Sequence, residues 1–199
     1  MHLSQVTPFP GIRLLFVLLL SSVAVNAQNF SDSLSLAARE LCGQDVIYDP
    51  SYYVIDYPDG DIPEGRGVCT DVIIRAYRSL DIDLQELVHQ DMNSNFNLYP
   101  EIWNLTSPDK NIDHRRVPNL MKYFERRGIT LTCSRRAEDY LAGDIVCWDL
   151  GGGLTHIGIV VYRKSKDEKR NMIVHNIGGG QVLEDFLFNK PIIGHYRYR

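Results

Sequence analysis

Three side chains that lie far apart in the sequence have the types needed for cysteine catalysis. Cys69 follows the glycine-bearing loop Gly65–Gly67 and begins a segment with helical periodicity. The N-terminus of a helix stabilises a thiolate, and a nearby imidazolium lowers the thiol pKa further. Free N–H groups there could also hold the oxyanion that forms when sulfur attacks a carbonyl. Cys69 is therefore the candidate nucleophile.

Histidines in two later segments are candidates for the base and its partner. His156 begins the alternating stretch Thr155–Val160, which places His156 and Gly158 on one face of a strand. His175 lies near the end of the next predicted strand. If the two strands form a hairpin, a polar side chain of the second can bond the distal ring nitrogen of His156 and fix its tautomer. We expect His175 in that role, with Asn176 as the substitute.

These residues also have simpler interpretations. A cysteine on a helix and a histidine on a strand are more often packing residues than catalytic ones. Zinc is a competing interpretation, because four residues are zinc-type ligands: Cys69, Cys147, His156 and His175. The chain has no CxxC, no HExxH and no close histidine pair, so we predict neither a metal nor a cofactor.

Charged residues flank the candidate nucleophile and a later helix. Arg66 lies in the loop before Cys69, and Asp71 lies in the same first helical turn. A carboxylate facing the sulfur would raise the thiol pKa, so we expect Asp71 to point away or to accept backbone N–H bonds. Arg115 or Arg116 could clamp a substrate carboxylate bidentately, and a solvated helix cap is the alternative.

Helices are predicted first along the chain. From Cys69 onward an amphipathic helix is indicated by apolar residues at three- and four-residue spacing: Val72, Ile73, Ala76 and Leu80. A second helix is predicted over about Leu84–Met92. A third has Pro118 near its start and Gly128 just past its end.

Strands are predicted afterwards, in short segments rich in β-branched and aromatic residues. They are Ile129–Cys133, Asp144–Trp148, His156–Tyr162, Met172–Asn176 and Ile192–Tyr198. The charged stretch Arg163–Arg170 fits the solvated tip of a hairpin. The order predicts an α+β fold with the helices packed on one face of a mostly antiparallel sheet of about five strands.

The N-terminus predicts export. Arg13 precedes the apolar run Leu14–Leu20, and small residues follow it as far as Ala27. We predict a signal peptide over residues 1–27 and a single domain over 28–199. A retained membrane anchor is the alternative. No later segment approaches the roughly 20 apolar residues that a membrane span needs, so we expect no stable span after cleavage.

Composition and cysteine content limit the partners and the crosslinks. Acidic residues outnumber basic ones by 25 to 21, a net charge of −4, which supplies no basic surface for nucleic acid. Outside the cytoplasm thiols can become disulfides. If one of the four cysteines is a nucleophile, at most one disulfide is left among Cys42, Cys133 and Cys147, and its pairing stays open.

Several motifs, in order, resemble those of a family of bacterial exported proteins, domain-of-unknown-function family 1287. They are Tyr48–Tyr57, Arg66–Val72, Asn111–Leu120, Gly143–Val146, Thr155–Val160, His175–Gly178 and Gly194–Tyr198. The resemblance covers about residues 36–199. That family in turn resembles the NlpC-type papain-like superfamily, which consists chiefly of cell-wall endopeptidases and amidases, with some acyltransferases.

The resemblance implies a papain-like fold and a set of roles. It maps Cys69 as nucleophile, His156 as base, His175 as orienting residue and Tyr57 as a substrate-facing tyrosine. Val68 stands where the superfamily has aspartate, and Thr70-Asp71 stands where it has Ser-Gly. The candidate substrate contacts are Tyr57, Arg66, Asp71, Arg115 and Asn176.

The expected function is that of an exported cysteine hydrolase, located in the periplasm or the medium. It would cleave an amide bond, with peptidoglycan stem peptides as the expected substrate, through a thioester intermediate. Two alternatives stay open. One is a non-catalytic envelope protein that binds a peptide or glycan, and the other is an acyltransferase that uses the same three residues.

Overall fold

The computed structural model describes residues 30–198, which form an α+β fold. Within them lie four α-helices: residues 30–40 (α1), Cys69–Arg78 (α2), Leu84–Asn95 (α3) and Val117–Arg127 (α4). The predicted signal peptide, residues 1–27, lies outside the described residues. Between residues 30 and 198, no helix combines the length and the apolar character that crossing a membrane would require.

Eight strands in residues 30–198 form two sheets. They are Ile47–Tyr48 (β1), Arg66–Gly67 (β2), Ile129–Thr130 (β3), Ile145–Gly151 (β4), Leu154–Lys164 (β5), Asn171–His175 (β6), Val182–Glu184 (β7) and Ile192–Arg197 (β8). β1 and β2 pair in parallel. The other six strands form an antiparallel sheet in the order β3-β8-β4-β5-β6-β7. Each of the five predicted segments contains a strand, and β7 adds a sixth at the sheet edge.

α2 packs its apolar stripe against one face of this sheet. Val72, Ile73 and Ala76 are buried on the helix, and Ile157 and Ile159 are buried beneath it on β5. Burial of each of these valine and isoleucine side chains contributes about 1.5–3 kcal/mol relative to exposure. This packing fixes the first turn of α2, and therefore Cys69, against β5.

The opposite face of the sheet carries a smaller core. It contains Trp148 from β4 and Phe186 from the segment after β7. Side chains alternate along a strand, so Ile157 faces α2 while His156 faces the smaller core. The ring of His156 accordingly lies 5.7 Å from that of Trp148 and 5.5 Å from that of Phe186, between centroids.

β5 and β6 form the hairpin that the sequence predicts. Ile159 pairs with Val174 and Val160 pairs with Ile173 in antiparallel register. The charged residues 165–170 make the turn between the two strands. This register carries His175, the last residue of β6, to the region where His156 begins the buried part of β5.

Candidate functional site

Cys69 is the first residue of α2 and only 6% of it is exposed to solvent. Burial raises the pKa of its thiol to about 12. The backbone N–H of Ile157 and the N–H groups of Thr70 and Cys69 act in the opposite direction and lower that pKa. The sequence led us to expect a lowered thiol pKa, and that expectation is wrong, because desolvation of the thiolate outweighs the N–H groups of the helix terminus. The resting side chain is a neutral thiol.

The loop before Cys69 is held in place by two partners. Gly67 pairs with Tyr48 where β2 meets β1. Asn176, which is fully buried, donates from its Nδ2 to the carbonyl oxygen of Gly67 at 3.2 Å. The Asn176 Oδ1 accepts the N–H of Gly178 at 3.1 Å. Asn176 therefore joins the end of β6 to the loop that presents Cys69, which is a positioning contact.

The two histidines lie in direct contact. His156 Nε2 and His175 Nδ1 are 2.7 Å apart, and His175 Nε2 lies 3.2 Å from Glu184 Oε2 on β7. Gly158 makes room for this contact, because a Cβ there would lie 2.7 Å from Ile173 Cγ2 and 3.2 Å from the Cβ of His175. The hairpin thus produces a line of three polar groups that runs from His156 to Glu184.

This line of groups determines where the protons are. An ionised carboxylate only accepts hydrogen bonds, so Glu184 requires a proton on His175 Nε2. A neutral His175 then accepts at Nδ1 from the Nε2–H of His156. A neutral His156 in turn carries its lone pair on Nδ1. The remaining nitrogen of His156 is therefore the one that can take up a proton.

Burial keeps both imidazoles neutral at physiological pH. His156 is 2% exposed and His175 is fully buried. Burial lowers the pKa of His156 to about 3, and a charge on His175 would lower it further. Burial also lowers the pKa of His175, while the Glu184 carboxylate partly offsets this effect.

The thiol meets β5 directly beside His156. The N–H that acts on the Cys69 sulfur belongs to Ile157, the residue after His156. Within the described residues, the Cys69 sulfur forms no hydrogen bond with either imidazole. The structure therefore brings Cys69 to the backbone next to His156, and it brings His156 and His175 into contact. The two imidazole rings, however, face the smaller core, on the side of the sheet opposite Cys69 and α2.

Asp71 and Arg115 form a buried ion pair. Arg115 donates from Nε to Asp71 Oδ1 at 2.9 Å and from Nη2 to Oδ2 at 3.1 Å, and both side chains are at most 3% exposed. Asp71 Oδ2 also accepts the N–H of Val68 at 2.7 Å, which caps α2 in place of a polar N-cap side chain. Asp71 thus bonds backbone N–H as expected. Asp71 and Arg115 therefore bind each other, and Asp71 also binds the backbone at the start of α2.

Tyr57 and Arg66, which were also predicted to contact substrate, interact with other residues. The Tyr57 ring packs edge-on to His89 at 5.2 Å between centroids, with Lys110 Nζ 5.5 Å from the ring. Arg66 is half exposed and forms an ion pair with Asp49. In the part of the chain that the structure describes, no hydrogen bond or ring contact joins Tyr57 to Cys69 or to the two histidines.

Two residues near the site were missed by the sequence reasoning. Tyr48 on β1 is 41% exposed, and its phenol pKa is raised by burial and then by the negative charges that a Cys69 thiolate and the Asp71 carboxylate would place beside it, so this phenol lies near the thiol. The sequence signal that could have identified Tyr48 is its position at the start of the first family motif, Tyr48–Tyr57. Glu184 completes the histidine line, but its strand has only three residues, too few for an alternating pattern to show.

Residues 30–198 contain neither a disulfide bond nor a metal-binding cluster. Cys42, Cys69, Cys133 and Cys147 are all free. Among residues 30–198, no group of three or more His, Cys, Asp or Glu side chains is arranged to hold a metal ion.

This chain is similar to known sequences. The family described as "Domain of unknown function (DUF1287)" matches residues 35–198. A protein of Escherichia coli (strain K12), named "Uncharacterized protein YijF", is 50% identical over 170 residues, which make up 85% of this chain and 82% of that protein. Among solved structures, none matches this chain.

Proposed function

We propose that this chain, which belongs to the DUF1287 family, is an exported cysteine hydrolase with a papain-like fold of the NlpC type. Its substrate is an amide bond in the stem peptides of peptidoglycan. The observation that carries the proposal is the line from His156 through His175 to Glu184, which leaves His156 Nδ1 as a proton acceptor on the strand that the Cys69 sulfur touches.

The chemistry follows from the neutral resting groups. The Cys69 sulfur attacks the carbonyl carbon of the amide while its proton passes to His156 Nδ1 through a bridging water, because the His156 ring lies on the other face of β5. The C–N bond then breaks, and the same proton goes to the leaving amine. Water attacks the resulting thioester, His156 takes a proton from that water, and the proton returns to the sulfur as the acid leaves. His175 and Glu184 act as positioning residues, since they fix the tautomer of His156.

One observation favours a second function. The thiol is nearly inaccessible and its pKa is raised to about 12, which is unfavourable for a nucleophile at neutral pH. A non-catalytic envelope protein that binds a peptide or glycan would need no thiolate. In that case Cys69 is a packing residue at the start of α2.

Digestion of purified peptidoglycan separates these functions. Wild-type protein, Cys69→Ala and the matched control Cys133→Ala would be incubated with it, and the released fragments analysed by mass spectrometry. Cys133 is an exposed thiol, so its loss makes the same chemical change away from the candidate site. Hydrolysis predicts fragments with new free carboxyl ends from wild type and Cys133→Ala, and none from Cys69→Ala.

The other results of the digestion experiment would point to different functions. Binding of peptidoglycan without fragments from any of the three proteins would favour the binding function. Equal fragment release by Cys69→Ala would overturn the nucleophile assignment. Products that carry a newly attached amine in place of a free carboxyl group would assign acyl transfer.

A further inference from the structure

The end of β5 and the turn that follows it, residues 163–170, form a basic surface on an acidic chain. This basic turn contains five basic and two acidic side chains, a net charge of +3, whereas the whole chain carries −4. Four of its basic residues are exposed and form no ion pair within residues 30–198: Arg163, Lys164, Lys166 and Lys169. Neither the histidine line nor the proposed hydrolysis uses this positive charge.

Hydrogen bonds within the basic turn hold it in one conformation and use one of its two carboxylates. Ser165 is buried, and its Oγ donates to Asp167 Oδ1 at 2.7 Å and accepts the N–H of Arg170 at 3.3 Å. Arg170 donates from Nη1 to Asp167 Oδ2 at 3.3 Å and from Nε to Asp185 Oδ1 at 2.6 Å. Asp167 is therefore neutralised within the turn. In this turn Glu168 is left as the one unpaired carboxylate beside four unpaired cations.

The start of α1 lies beside the end of β5, just before the basic turn. Ser35 Oγ accepts the N–H of Tyr162 at 2.8 Å. Ser31 lies against Gly143, whose N–H bonds to the carbonyl oxygen of Val160 at 2.8 Å. Residue 30 is five residues from Ser35, which is about 7.5 Å along a helix. The chain therefore enters the domain at the end that carries the basic turn.

Exposed apolar side chains accompany the cations at this end. Leu36 follows Ser35 on α1 and is 56% exposed, and Tyr162 precedes Arg163 and is 54% exposed. Tyrosine is enriched at membrane interfaces, and basic residues beside exposed apolar ones are typical of surfaces that rest on lipid headgroups. Upstream of α1, the apolar run Leu14–Leu20 predicts that the chain meets a membrane during export.

We propose that the basic turn, together with Leu36 and Tyr162, binds the anionic phospholipid surface of a membrane. Anionic headgroups attract a nearby cluster of lysine and arginine side chains, and salt screens this attraction. The domain then rests on the membrane by the end of the sheet at which its chain enters. The binding is expected whether the N-terminal segment is cleaved or retained, and it does not depend on the proposed hydrolysis.

Cosedimentation with vesicles measures this binding. The protein recovered after export of the full chain is mixed with vesicles that contain phosphatidylglycerol and, separately, with vesicles of phosphatidylcholine alone. We expect binding to the anionic vesicles at about 0.1 M salt and release at about 1 M, because the screening length falls from about 10 Å to about 3 Å. Equal binding to both kinds of vesicle, unchanged by salt, would overturn the proposal, because it would assign the association to the apolar run.

A pair of matched double variants locates the binding surface. Arg163→Gln with Lys166→Gln should weaken binding to the anionic vesicles about 25-fold, at about fivefold for each charge. The control, Arg135→Gln with Lys190→Gln, removes the same two residue types from exposed positions that line one groove just before β8. That groove lies at the other end of the sheet, because the start of β8 pairs with the end of β4 whereas the end of β5 pairs with its start. The control should leave the affinity unchanged.

Three results would overturn the proposal. Equal weakening by both double variants would show that net charge, and not the basic turn, determines the affinity. No binding to the anionic vesicles at about 0.1 M salt would exclude the membrane as the partner. Binding to soluble polyphosphate without binding to vesicles would assign a soluble polyanion instead. Cys69→Ala should bind vesicles like the wild type, so a failed vesicle assay and a failed hydrolysis assay are distinguishable.

Discussion

Replacement of Arg115 by alanine should destabilise the fold strongly, because it leaves the Asp71 carboxylate buried without its countercharge. The two side chains are 2% and 3% exposed and share two hydrogen bonds. Arg115 also donates to the backbone carbonyl oxygens of Ser51 at 3.0 Å and Asp49 at 3.1 Å, so it ties three segments together. Alanine would remove all four bonds and leave the Asp71 carboxylate in the interior without a cation.

The expected magnitude follows from that burial. Removal of one partner of a buried ion pair costs about 3–5 kcal/mol, whereas an exposed pair contributes at most about 1 kcal/mol. The pair between Arg136 and Glu138 is 70% and 65% exposed, so Arg136→Ala is a matched control with the same change of residue type. Arg115→Ala should lower the free energy of unfolding several times more than the control does.

Urea unfolding followed by circular dichroism measures both changes. The double variant Asp71→Leu with Arg115→Met removes both charges and should recover part of the loss, because the stranded carboxylate is then gone while the Val68 N–H still lacks its acceptor. A cost below about 1 kcal/mol for Arg115→Ala would show that the guanidinium is not needed to neutralise Asp71.

Three further predictions concern the candidate site. Gly158→Ala should destabilise the protein by about 1–3 kcal/mol in urea unfolding, because its Cβ would lie 2.7 Å from Ile173 Cγ2, and a change below about 0.5 kcal/mol would contradict the packing. At pH 7 iodoacetamide should modify exposed Cys133 well before Cys69, whose thiol pKa is raised to about 12 by burial; peptide mapping that finds Cys69 labelled first would contradict this order. Folding stability should fall as the pH drops from about 6.5 toward 3, because in that window the unfolded chain binds a proton at His156 and the folded chain does not. His156→Gln should flatten this dependence in urea unfolding at pH 7, 5 and 4, and an unchanged slope would argue against a buried neutral imidazole.

The order of helices and strands was predictable because it depends on local patterns. Alternation along Thr155–Val160 placed His156 on one face of β5, and the hairpin to β6 followed from two adjacent strand patterns. α1 also carries a readable signal in the spacing of Leu34, Ala37 and Ala38, but it was not predicted. β7 was missed because three residues are too few to show a period.

The chemistry of the site was less predictable than its parts. A sequence shows that Cys69 begins a helix, but its burial depends on how α2 packs on β5, and that burial sets the thiol pKa. The pairing of Asp71 with Arg115 spans 44 residues, so no local pattern could reveal it. The same holds for Glu184, which reaches His175 only through the register of a short edge strand.

The proposed hydrolysis requires a thioester between Cys69 and the acyl part of the substrate. The most direct measurement is acid quenching of wild-type protein during digestion of a peptidoglycan stem peptide, followed by peptide mapping by mass spectrometry. An acyl mass is expected on the peptide that contains Cys69, released by hydroxylamine and missing in Cys69→Ala. Product formation with the acyl group on another residue, or an unchanged adduct in Cys69→Ala, would contradict it.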